Sequence, residues 1–319
     1  MGFLSSLFSS SKKEDSSQEN KPKEDRKNFD ILKYDGIRAM QIRKYQYAIK
    51  CFQKALEIQP DIDTMNYLAN AYSLVDDLDG ALEVVDDILR IEPERTDSLL
   101  SRINILFHLD RDREAVATCD TVIELEPENY TGWFLRAKAK RTISDSAGAI
   151  DDITKAIAIK DDFADGYLLR SEIYLSVEEG EKALQDVEKV IALVEESDEM
   201  AHLLRGRIYE LLGRPDEAAN EYKEVLELNP FKEEAYLLAG CLYTSQQKYD
   251  DAMAIYDEAI EHIESFAKAY IMRGNLKELM GDKEGAEKDA RLAAEFESEN
   301  GESGSGQADF DNLYKGGLF

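Results

Sequence analysis

Apolar residues recur along most of this chain at the three-and-four spacing of one helix face, so the pattern predicts helices rather than strands. From Phe29 onward the amphipathic stretches come in pairs, A and B. Each stretch is about 14 residues long, and the two are joined by a short turn rich in Asp and Gly. The pairs repeat: Ala48, Ala81, Ala115, Ala149, Ala183, Ala218, Ala252 and Ala286 follow one another at spacings of 33, 34, 34, 34, 35, 34 and 34 residues. An apolar or aromatic residue stands four places after each alanine, and proline follows twelve places after four of them, at Pro60, Pro93, Pro127 and Pro230. A fixed period of this length predicts a stack of like units in place of a single-core domain. Eight units then begin at residues 29, 62, 96, 130, 164, 199, 233 and 267.

In these shared coordinates, positions 4, 7, 8, 11 and 14 of helix A fall on one face. Position 8 is small in seven units (Gly36, Ala69, Ala137, Ser171, Gly206, Gly240 and Gly274) and is Ile103 in the other. A small residue there lets helix B come close, with the ladder alanine opposite. Position 7 is Arg in five units, and in four of them position 23 on helix B is acidic: Arg136 with Asp152, Arg170 with Asp186, Arg205 with Glu221 and Arg273 with Asp289. Where position 7 is Leu68 or Ala239, position 23 is Val84 or Ile255. That parallel predicts a largely buried ion pair inside each of the four units, serving register more than net stability. The ends differ from the middle. Position 10 is Arg38 in the first unit and apolar elsewhere, and position 21 is Glu287 in the last unit and apolar elsewhere. Terminal repeats need a polar outer face, so the array reads as running from 29 to 298.

The sixth unit, HLLRGRIYELLGRPDEAANEYKEVLELNP, shows the pattern most fully, with Gly206, Tyr209, Ala218, Tyr222 and Pro230 in place. It resembles the tetratricopeptide repeat, and the resemblance extends over about 85% of the chain. What it implies is an all-α fold, an α-α superhelix, that is, a right-handed solenoid of antiparallel helix pairs with the A helices lining a concave face. It also implies binding of peptide segments or assembly of complexes, and no catalytic residue in the motif itself.

Helix A positions 2, 5, 9 and 12 lie about 140° from the core-facing stripe and are expected on the concave side. Position 5 is Lys33, then Asn66, then an apolar row of Leu100, Phe134, Leu168, Leu203, Leu237 and Ile271. Position 9 is a mixed polar row that includes Asn70, Asn104, Lys138, Glu172, Arg207 and Asn275. The apolar row reads either as a peptide groove or as packing against the next helix A. The dicarboxylate clamp of one chaperone-binding subset of the family does not map here, because Ile37 stands four residues after Lys33 and neither Asn66 nor Asn104 has the required cation spacing. A partly apolar peptide or helix segment is the expected partner.

Composition narrows the classes. A net charge of −28 repels phosphate backbones, so no nucleic acid is expected as a partner. The three cysteines lie in separate units without a CxxC, which reads as a reducing, cytoplasmic setting with no disulfide framework. The three histidines are equally scattered, no metal or cofactor is expected, and no catalytic constellation converges. Residues 1–28 read as a polar tail too poor in apolar surface to fold alone. Within it, Phe3, Leu4, Leu7 and Phe8 could form one apolar face, and Gly2 with Ser6 fits a lipidation pattern. A Gly/Ser linker from 299 leads to an apolar C-terminal segment with Phe310, Leu313, Tyr314, Leu318 and Phe319, which could dock on the array or recognise another protein. The function expected is that of a protein-interaction scaffold. The alternatives are a membrane-peripheral tether held by residues 3–8 and a regulatory subunit of an enzyme complex.

Overall fold

Each repeat closes through one turn residue that takes a left-handed backbone conformation. Position 15 has positive φ in all eight units: at Arg43, Asp76, Asp110, Ser144, Glu178, Gly213, Gln247 and Gly281. The amide of the following residue then donates back to the carbonyl of position 11, at 2.8 to 3.0 Å, from Lys44 to Ala39 in the first unit through Asp282 to Lys277 in the last. This is the bond that ends a helix in a Schellman turn, and it satisfies a carbonyl that helix A leaves open. Helix B restarts at once. Asp77 and Asp145 cap it by accepting from the amides of Gly80 and Gly148 at 3.0 Å, which satisfies one of its open donors.

The computed structural model describes residues 21–194 and 198–299. The apolar patch at residues 3–8, the Gly2 pattern and the C-terminal apolar segment lie outside the described residues. The chain divides into two compact units, Met1–Asp161 and Asp162–Phe319. The first holds helix pairs α1 (Lys21–Gln41) with α2 (Tyr45–Ile58), α3 (Ile62–Ser73) with α4 (Leu78–Ile91), α5 (Thr96–His108) with α6 (Asp112–Leu125), and α7 (Tyr130–Thr142) with α8 (Ser146–Ile159). The second holds α9 (Ala164–Ser176) with α10 (Gly180–Leu193), α11 (Glu199–Leu211) with α12 (Pro215–Leu228), α13 (Glu233–Ser245) with α14 (Tyr249–His262), and α15 (Ala267–Leu279) with α16 (Lys283–Glu299). Among the described residues there is no strand. None of their helices is long and apolar enough to cross a membrane. α1 begins eight residues ahead of the first repeat position at Phe29.

The first seven ladder alanines are fully buried, and Ala286 in the last pair is half-buried. What fills the space beside position 8 is the side chain at position 24. A Cβ added to Gly36, Gly206 or Gly240 would stand 2.4, 2.4 or 2.3 Å from a ring carbon of Phe52, Tyr222 or Tyr256. Where position 8 is Ala69, Ala137 or Ser171, position 24 is the smaller Val85, Ile153 or Val187, and Ile103 faces Cys119. A larger residue at position 24 thus goes with a smaller one at position 8, the exchange of volume that a close-packed interior requires. Gly274 is the exception, because no ring faces it; its neighbours are the Asp289 Cβ and the Ala286 carbonyl.

All four expected ion pairs are present. Arg136 binds Asp152 through two nitrogens at 2.8 and 2.6 Å, and Arg170 binds Asp186 at 2.7 and 2.7 Å. Arg273 binds Asp289 at 2.9 and 2.8 Å, and Arg205 reaches Glu221 at 2.9 Å. The three aspartates are buried. Lysines one turn further along helix A add a second cation, Lys140 to Asp152 and Lys277 to Asp289, each at 2.8 Å. Three arginines at position 7 also reach the preceding repeat: Arg102 to Asp86 at 2.7 Å, Arg136 to Asp120 at 2.6 Å and Arg273 to Asp257 at 2.6 Å. In Arg136 and Arg273 the guanidinium fork thus joins three helices, a geometry that lysine could not supply.

One buried carboxylate lacks this provision. Asp87 on α4 is 2% exposed, and neither of its oxygens has a well-formed hydrogen bond, although Arg90 approaches from one turn along. It borders a cavity of about 30 Å³ lined by Gln53, Leu56, Leu68, Tyr72, Gly80, Glu83 and Val84, with room for a water. Burial pushes its carboxyl above the ordinary carboxylate range against the pull of Arg90. All three cysteines are free and buried. Desolvation raises the thiol of Cys119 to about 12 and that of Cys241 to about 11.

Candidate protein-binding face

The A helices carry the face that the repeat pattern singles out, and the two units present it differently. In the first unit, position 9 is Asn70 on α3, Asn104 on α5 and Lys138 on α7, and all three side chains are exposed. They recur every 34 residues, so successive helices offer an amide, an amide and an ammonium in register. Beside them Leu100 and Phe134 at position 5 are half-buried. The Lys138 ammonium lies 5.3 Å from the centre of the Phe107 ring on α5, so the lysine stem crosses from one A helix to the previous one.

At the start of the row, Lys33 of α1 is committed elsewhere. Its Nζ is 2.8 Å from Asp61, which caps α3 by accepting from the Thr64 amide, and 3.8 Å from Asp63. Burial works against both charges, yet the hydrogen bonds from Lys33 and Thr64 hold Asp61 below its ordinary value, and Asp61 holds Lys33 above its own. Lys33 therefore ties the first two pairs together.

In the second unit the apolar row is drawn inward. Leu203 on α11 and Leu237 on α13 are 3% and 8% exposed and belong to the unit's core, which at those two residues favours the packing reading of position 5 over a water-facing one. Successive A helices approach one another in both units, α11 against α9 and α15 against α13 here, and α1 against α3 and α5 against α7 in the first. Leu168 and Ile271 are half-buried, as are Glu172, Arg207 and Asn275 at position 9. Cys241, the position-9 residue of α13, is buried, and the Tyr256 hydroxyl lies 3.9 Å from its sulfur.

Chemically, the first unit's face can donate and accept hydrogen bonds along an extended backbone and can cover short apolar side chains against Leu100 and Phe134. Among the described residues no group of three or more His, Cys, Asp or Glu side chains is placed to hold a metal ion.

Sequence profiles described as tetratricopeptide repeat match residues 168–233 and 203–270 in the second unit, and another matches residues 39–62 in the first. No curated protein sequence matches the chain. Among solved structures, a tetratricopeptide repeat protein from Parabacteroides merdae ATCC 43184 is similar over 74% of this chain and 93% of its own, with a TM-score of 0.60 and 20% identity. PilW, a type IV pilus biogenesis factor, is similar over 65% of this chain and 94% of its own, with a TM-score of 0.55 and 16% identity. Pseudomonas aeruginosa pilF is similar over 64% and 97%, with a TM-score of 0.52 and 16% identity. At such identities these likenesses concern the fold alone. The sixteen described helices in consecutive pairs, the constant turn and the matched stretches together fit an array of tetratricopeptide repeats.

Proposed function

We propose that this chain is a non-catalytic scaffold that holds a segment of a partner protein along its A helices, with the first unit's row of Asn70, Asn104 and Lys138 as the primary contact. The observation that carries the reading is that these three polar side chains stay exposed in register beside the half-buried Leu100 and Phe134. Polar ends over a partly apolar floor suit a peptide whose backbone is read by hydrogen bonds and whose side chains supply buried area. The second unit offers less at position 5, because Leu203 and Leu237 are already spent on packing.

The test is a photo-crosslinking amino acid placed at Asn104 and, as a control, at the exposed Glu124 of α6, combined with an Asn70→Ala/Asn104→Ala/Lys138→Ala variant. The crosslinker at 104 is expected to capture a partner that the control at 124 does not. The triple variant should melt like the parent and lose that partner by at least tenfold in affinity. A folded variant that keeps the partner at full affinity would remove this face from the binding site.

A further inference from the structure

The N-terminal end of the array differs from the rest in charge and in what it leaves exposed. The first 54 residues contain 12 Lys and Arg against 7 Asp and Glu, so a chain of net charge −28 carries a positive end. Within it, Lys23, Lys27, Ile31, Tyr34 and Arg38 of α1 follow one another at steps of 4, 4, 3 and 4 and are all exposed. At 100° per residue they fall within a sector of about 80° on the side of α1 away from its buried Phe29, Gly36 and Ala39. The acids Glu24 and Asp30 stand to either side, which leaves the middle of the stripe cationic and apolar.

Ile31 and Tyr34 are 48% and 64% exposed. Ile31 occupies position 3, where α3, α5 and α7 carry the small, buried Thr64, Ser98 and Gly132. A Cβ on Gly132 would meet Val122 and Ile123 of α6, so position 3 is where a later repeat receives the repeat before it. On α1 the same position is large, and a repeat could not stack there at the usual distance. The face therefore suits something other than another copy of the motif. Just past the helix end, Ile42 at 64% exposure and Arg43 extend the same pairing of apolar and cationic side chains.

We infer that this exposed stripe of α1 is a docking surface for an anionic lipid bilayer, on which the helix lies in the headgroup plane. Tyrosine, isoleucine and the stems of lysine and arginine sit at the apolar boundary while the charged heads meet lipid phosphates, and the acidic remainder of the chain is repelled from the same surface. The chain would lie on the membrane without spanning it. Phe3, Leu4, Leu7 and Phe8 precede the stripe in sequence and are a separate contribution to be measured.

The test uses the full chain and co-sedimentation with vesicles of phosphatidylcholine alone or with about 30% phosphatidylserine, at low and high salt. Binding is expected only to the phosphatidylserine vesicles and should fall at least tenfold at high salt. Lys27→Glu/Arg38→Glu should lose binding at least tenfold and Ile31→Ser/Tyr34→Ser severalfold, each with an unchanged helical spectrum and melting temperature. Equal binding to neutral vesicles, or undiminished binding by the charge-reversed variant, would overturn the inference. So would loss on deleting residues 1–12 with both stripe variants unaffected, which would assign adhesion to the preceding segment. Pelleting without lipid that the stripe variants abolish would also overturn it, in favour of a second copy of the chain.

Discussion

At the scale of single residues, two buried carboxylates on B helices have opposite fates. Asp289 is 1% exposed and, although burial opposes it, is held below its ordinary value by Arg273 and Lys277. Its contribution to stability is therefore present above the unfolded carboxylate value near 3.9 and is lost as pH falls through the lower folded value. Asp289→Asn should cost about 3 kcal/mol at pH 7, and the gap from the parent should close in strong acid. Asp87 is raised, so the sign reverses: its contribution to the fold is fully present below the unfolded value and is lost as pH rises through the higher folded one. Asp87→Asn should raise stability by about 1 kcal/mol at pH 7 and have little effect below pH ~3.9. Urea melts of both variants from strong acid to neutral pH check the two signs together. Steric exchange at position 8 gives a third expectation. Gly36→Ala pushes a methyl group into the Phe52 ring and should cost about 1–3 kcal/mol. In a Phe52→Val background, which copies the smaller pairings of other repeats, the same change should cost under about 0.5 kcal/mol.

At the scale of the element, the period and the A/B ion pairs were legible because each repeat serves as a control for the others. In four of the five repeats with Arg at position 7 an acid stands at position 23, and Leu68 or Ala239 goes with Val84 or Ile255. The consequence is measurable: Arg170→Leu with Asp186 retained should cost about 3–5 kcal/mol, because it strands a buried carboxylate. Arg170→Leu/Asp186→Val, which reproduces the Leu68 and Val84 pairing of the second repeat, should recover most of that loss in a double-mutant cycle. Other features were hidden for identifiable reasons. The reach of Arg102, Arg136 and Arg273 to the preceding helix B depends on how repeats stack, which no single repeat encodes. The left-handed turn residue is Arg, Asp, Ser, Glu, Gln or Gly according to the repeat, because the bond from position 16 to position 11 imposes the conformation without asking for one side chain. Leu203 and Leu237 belong to the second unit's core, whereas a helical wheel places position 5 near the edge of the core-facing stripe without saying on which side it falls.

At the scale of the whole molecule, each compact unit has its own buried apolar core, one built on Phe52, Ile88 and Leu106 and the other on Ile208, Tyr222 and Tyr256. Stability in such arrays is close to a sum of repeat and nearest-neighbour contributions, so a fragment that keeps four neighbouring pairs keeps most of its contacts. Residues 162–319 expressed alone should retain a helical spectrum and melt cooperatively; a fragment without a melting transition would contradict this. The buried thiols offer a finer view of the same question. With Cys119 near 12, roughly one thiol in ten thousand is ionised at pH 8, so alkylation waits on opening of the fold. Cys51 and Cys119 lie in the first unit and Cys241 in the second. The native chain therefore carries three internal clocks, and the order in which an alkylating reagent marks them would time the loosening of each region without any label being introduced.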